Sequence, residues 1–193
     1  MDTNTTIKTV AKGDCFFSQG EECGTLYYIV EVVGEKCYAL SICISENYIN
    51  ADDYACEYGL ELPNDVIMLP SKVYDAIKAM ILDCGKEINK LLRDEALDID
   101  FELKVGALYT NGAFIYRFVE KRDDCWHYDL FYIDSETIAN NWSGNISDDV
   151  AKNVLKPISI STYTRVQQRF EKLQQAIAQL IEQFSYRILN VNR

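Results

Sequence analysis

Histidine is almost missing from this chain, and so is proline: 193 residues carry one of the first and three of the second. A single imidazole, with seven cysteines of which no two stand in a C-x-x-C pair, leaves no spacing that resembles a zinc ribbon or finger. No metal site and no cofactor are therefore expected. Scarce proline argues against extended polyproline linkers and leaves the chain free to form long regular elements. No apolar run is long enough to span a bilayer, so no membrane segment is expected. Basic charge is short as well, with 19 Lys and Arg against 30 Asp and Glu and a net charge of −11. That balance opposes direct contact with nucleic-acid phosphates, although an acidic inhibitor or nucleic-acid mimic would share it.

The familiar catalytic phrases are also absent. No P-loop, G-x-G-x-x-G or G-x-S-x-G occurs, so no catalytic residue is assigned and a binding protein is favoured over an enzyme. The acidic run from Asp94 is dense in oxygens, but its sixth residue is Ile99, where an EF-hand loop needs glycine. The first residues, MDTNTTIKTV, lack a charged segment followed by an apolar one, and an odd number of cysteines suits reduced thiols. A cytoplasmic location is expected on both grounds.

What the chain does contain is 48% hydrophobic residues, enough for a sizeable core, and a phrase written twice. VEVVGEKCYALSICI begins at Val30 and VEKRDDCWHYDLFYI at Val119. Gly13 has an aromatic residue three positions later, as does Gly106, an offset of 93 (106 − 13). The offset returns where Val73, Ile77, Met80 and Cys84 align with Val166, Phe170, Leu173 and Ile177. Fixed-period self-similarity of this kind indicates a duplicated unit. The expectation is an α+β chain of two tandem repeats, residues 1–95 and 96–193. Each would be a small antiparallel sheet or SH3-like barrel closed by a long C-terminal helix.

Within the first repeat, residues 26–33 and 36–45 read as a hairpin turning at Gly34-Glu35. Aligning Cys37 with Cys125 places Trp126, Tyr128, Leu130 and Tyr132 opposite Tyr38, Leu40, Ile42 and Ile44 as the buried face. Strict alternation from Asp98 to Leu103 reads as a half-buried strand. Two helices follow from apolar stripes, one from Val73 to Leu92 and one from Val166 to Phe184. Gly85 inside the first costs about 1 kcal/mol relative to alanine, which suggests close packing. The second stripe is expected to pack on its own sheet, with a homodimer through the C-terminal helix as the alternative.

Two sites are expected. Irregular loops from Asn47 and from Asn140 mix aromatic rings with Asn, Asp and Ser, giving broad contact area with adaptable hydrogen bonds. Tyr48, Tyr54, Tyr58 and Trp142 are accordingly the expected partner-binding residues of a cytosolic adaptor whose protein partner the sequence does not name. The alternative is a small enzyme or ligand-binding protein with a pocket between the repeats near His127 and Asp129, two residues apart on one strand face.

Overall fold

A computed structural model describes residues 10–60, 66–134 and 137–191, and all their side chains except those of 141 and 186–191. The N-terminal stretch 1–9, read above for a secretion signal, lies outside the described residues. The fold is α+β: a large, open antiparallel sheet with three helices. By packing, the chain divides into two compact units. The first comprises Met1–Glu46, Asn50–Ala79 and Gln175–Arg193, the second Asn47–Ile49 and Met80–Gln174.

The first unit begins with a tight turn in which Gly13 adopts φ +90°, a conformation that suits glycine alone. Strand β1 (Cys15–Gln19) starts after it. The Gly13 amide donates to the Ile29 carbonyl at 2.8 Å, and the Ile29 amide donates to the Asp14 carbonyl at 2.9 Å. Strands β2 (Cys23–Val33) and β3 (Lys36–Ser45) form the expected hairpin, with Gly34 at φ 61° in its turn and a bulge between Ile29 and Glu31. β4 (Tyr48–Ala51) and β5 (Cys56–Gly59) follow β3, and β6 (Val66–Leu69) pairs with β1. The order is β6-β1-β2-β3-β4, with β5 also on β3. One core cluster gathers Val10, Phe16, Ile29, Cys37 and Ala39. On the other side of the strands Tyr28 stacks on Tyr74 of helix α1 (Lys72–Glu95), centroids 5.4 Å apart.

The second unit repeats these devices. Gly106, φ +80°, donates to the Phe118 carbonyl at 2.7 Å, and the Phe118 amide returns a bond to Ala107 at 3.3 Å. Strands β7 (Leu108–Thr110), β8 (Phe114–Arg122) and β9 (Cys125–Ile133) follow, with a bulge between Phe118 and Glu120. Asp123, at φ 51°, opens the hairpin turn. β10 (Thr137–Ser147), helix α2 (Asp148–Val154), β11 (Lys156–Pro157) and helix α3 (Ile160–Val191) complete the chain. The order is β11-β7-β8-β9-β10. The core cluster here holds Leu103, Tyr109, Tyr116, Phe118, Trp126, Ala151 and Leu155. The opposite face meets α3, where Phe170 packs edge-on against Phe131 at 5.8 Å.

Several expectations need correction. The sheet is open, so neither unit is a closed SH3-like barrel. The alternating run from Asp98 to Leu103 forms no strand. The stretches read as irregular loops are largely β4, β5 and β10, because pairing with a neighbouring strand overrides the low strand propensity of Asn, Ser and Gly. Counted from the bulges, Glu31 opposite Tyr38 corresponds to Glu120 opposite His127, so Cys37 corresponds to Trp126 and not to Cys125. That single step exchanges faces. Cys37, Ala39 and Ser41 are buried in β3 and, of the expected set, only Ile42 is buried, while Tyr38, Leu40 and Ile44 are not. The stripe of α3 is covered within the chain, with Val166, Phe170, Leu173, Ile177 and Ile181 all buried. Among the described residues no helix is long and apolar enough to cross a membrane.

Candidate functional site

Two arrangements stand out, on opposite faces of β8, β9 and β10. The first is a ladder of rings. Phe114 and Tyr132 are directly paired across β8 and β9 and stack at 4.7 Å with an interplanar angle of 20°. Trp142 of β10 stacks on the far side of Tyr132 at 5.3 Å and 25°. The Tyr132 hydroxyl donates to Asp134 Oδ2 at 2.8 Å, which fixes the middle ring. Further in, Phe114 meets Tyr116 edge-on at 6.4 Å and Tyr116 meets Tyr128 at 4.9 Å, joining the ladder to the core. Trp142 is 55% exposed, so the ladder ends as an open indole face. Gly144 allows this packing: a Cβ there would stand 2.7 Å from the Tyr128 hydroxyl of its cross-strand partner.

The second arrangement is a polar cavity of about 160 Å³ lined by Ile115, Arg117, Asp129, Leu130, Phe131, Asn140, Tyr163 and Gln167. Arg117 and Asp129 are paired across β8 and β9, and the guanidinium donates to Asp129 Oδ2 at 2.6 Å. Both side chains are partly exposed, at 54% and 39%, so the pair contributes no more than about 1 kcal/mol and is readily rearranged. The carboxylate raises the Arg117 pKa further. Tyr163 and Gln167 lie one turn apart on α3 and face the same cavity. Burial raises the Tyr163 pKa, with Arg117 opposing and Asp129 reinforcing the shift, so its hydroxyl stays protonated and able to donate.

Of the residues expected from sequence, Trp142 is the one that joins a stacked surface. Tyr58 meets Tyr27 edge-on at 5.4 Å, Tyr27 stacks on Phe16, and Tyr58 is itself exposed. Tyr54 is 70% exposed and makes no ring contact among the described residues. Tyr48 begins β4 and is exposed. Asp129 lines this cavity, which lies within the second unit, and its partner is Arg117, whereas His127 pairs across the strands with Glu120 and Asn145 and does not line it. Phe114, Tyr132, Arg117, Tyr163 and Gln167 were missed, since only the pairing register brings them together. Among the described residues no group of three or more His, Cys, Asp or Glu side chains is placed to hold a metal ion. Set beside known protein families and characterised proteins, the chain matches none.

Proposed function

We propose that this is a cytosolic protein-binding or adaptor protein that recognises its partner through the ring ladder ending at Trp142. The observation that carries the reading is the exposed indole, stacked on Tyr132. Tryptophan is the commonest energetic anchor of protein interfaces, and a ring already held by stacking loses little freedom when a partner covers it. Exposed Tyr48, Tyr54 and Tyr58 are proposed as further partner-binding residues. Truncating Trp142 should leave the fold nearly unchanged, because the ring contributes one stacking contact worth about 0.5–1.5 kcal/mol.

The test is capture by the purified chain from native extract, compared between the wild type, Trp142→Ala and a control at Ile160, which is more exposed still. Partners retained by Ile160→Ser and weakened at least about tenfold by Trp142→Ala support the reading. Equal capture by both variants, or a collapse of the melting temperature in Trp142→Ala, counts against it.

We also propose that residues 1–95 and 96–193 arose by tandem duplication of one segment. The supports are local. Both have a positive-φ glycine before the first strand, reciprocal bonds to Ile29 or Phe118, and a bulge immediately after that residue. The strand orders β6-β1-β2-β3-β4 and β11-β7-β8-β9-β10 also correspond position by position.

A further inference from the structure

We propose that the cavity between β8, β9, β10 and α3 binds a small zwitterion, an α-amino acid with a short side chain. The cavity wall carries one full positive and one full negative charge in contact, Arg117 and Asp129. An anion alone would gain from Arg117 and be repelled by Asp129, and a cation alone would meet the reverse. A ligand carrying both charges satisfies both. Neither residue is exhausted by the existing bond: guanidinium has five N–H donors and a carboxylate has two oxygens, and the contact at 2.6 Å uses one of each. The ligand's carboxylate can therefore take further donors of Arg117 while its ammonium donates to the other oxygen of Asp129.

The remaining lining fits the same class. Tyr163 and the amides of Asn140 and Gln167 supply neutral donors and acceptors, while Ile115 and Phe131 offer apolar surface for a short side chain. The volume, about 160 Å³, suits a ligand of few heavy atoms such as glycine, alanine or serine. Strand alternation puts this cavity on the face opposite the ring ladder, so it stands or falls independently of the proposed partner surface.

Calorimetric titration of the full chain with glycine and with L-alanine tests the proposal, with acetate and ethylammonium as half-ligands. Saturable binding of either amino acid at concentrations up to about 10 mM is expected, with neither half-ligand matching it. Tyr163→Phe, which removes one hydroxyl and keeps the ring, should weaken binding about threefold or more, and Asp129→Asn about tenfold or more. Trp142→Ala should leave it unchanged. Absence of saturable heat with both amino acids overturns the proposal, as does equal binding of acetate alone. Undiminished affinity in a folded Tyr163→Phe, checked by circular dichroism, overturns it too, and that variant decides the matter where Asp129→Asn fails to fold.

Discussion

At the scale of single residues, Asp148 shows how much one side chain can organise. Its Oδ1 accepts from the Trp126 indole at 2.8 Å and from Lys121 at 3.0 Å, and its Oδ2 meets Lys152 at 2.5 Å. It is also the first residue of α2, where a negative charge complements the helix dipole. Those bonds, Lys152 foremost and then the indole and Lys121, hold its carboxyl well below the usual carboxylate range. A carboxyl whose folded pKa is depressed contributes stability that is fully present above its unfolded value and is lost as pH falls toward the folded one. Asp148→Asn should therefore melt at a lower temperature than the wild type at pH 7. The gap should close as the pH is lowered below about 4. Thermal denaturation of both proteins across this range checks it, and a gap that persists unchanged in acid would assign the effect to packing. The sequence hid this role. Asp148-Asp149 reads as one more acidic doublet on a turn, and nothing in the chain alone brings Trp126 to it.

At the scale of elements, what was legible followed from local chemistry. The first hairpin has alternation and a Gly-containing turn, and both long helices have apolar stripes, so all three were readable in outline. β4, β5 and β10 were not, because polar Asn, Ser and Gly enter strands only when a neighbour supplies the pairing. Trp142 could be singled out by its type, but its stacked neighbours belong to other strands. Helix α1 carries a test of close packing. Gly85 sits in its interior, where alanine is ordinarily worth about 1 kcal/mol more. Here a Cβ would lie 2.9 Å from the Asp134 carbonyl oxygen, and backbone at that distance cannot yield as a flexible side chain would. Steric cost should exceed the gain in propensity, so Gly85→Ala is expected to lose about 1–3 kcal/mol in urea denaturation. A more stable Gly85→Ala would mean that the helix and the Asp134 backbone separate at little cost.

At the scale of the whole molecule, the repeat that the sequence suggests and the units that pack together have different boundaries. The proposed copies divide at 95/96, yet the first compact unit includes Gln175–Arg193 from the far end of the chain. Ala178 and Ile181 of α3 line one groove with Phe17 of β1 and Ile67 of β6. Ile177 and Ile181 are 1% and 8% exposed. Burying an isoleucine contributes about 1.5–3 kcal/mol, so losing these two removes roughly 3–6 kcal/mol from a domain whose net stability is typically about 5–15. Periodicity could not reveal this, because an offset between copies records which segments correspond and not which segments cover each other. A fragment of residues 1–95 should therefore lack a cooperative melting transition in circular dichroism, although it holds a complete copy of the proposed repeat, while the full chain melts cooperatively. A fragment 1–95 that melts as sharply as the full chain would show that the copied segment is a self-sufficient folding unit, and that α3 adds to the first unit a cover it does not need.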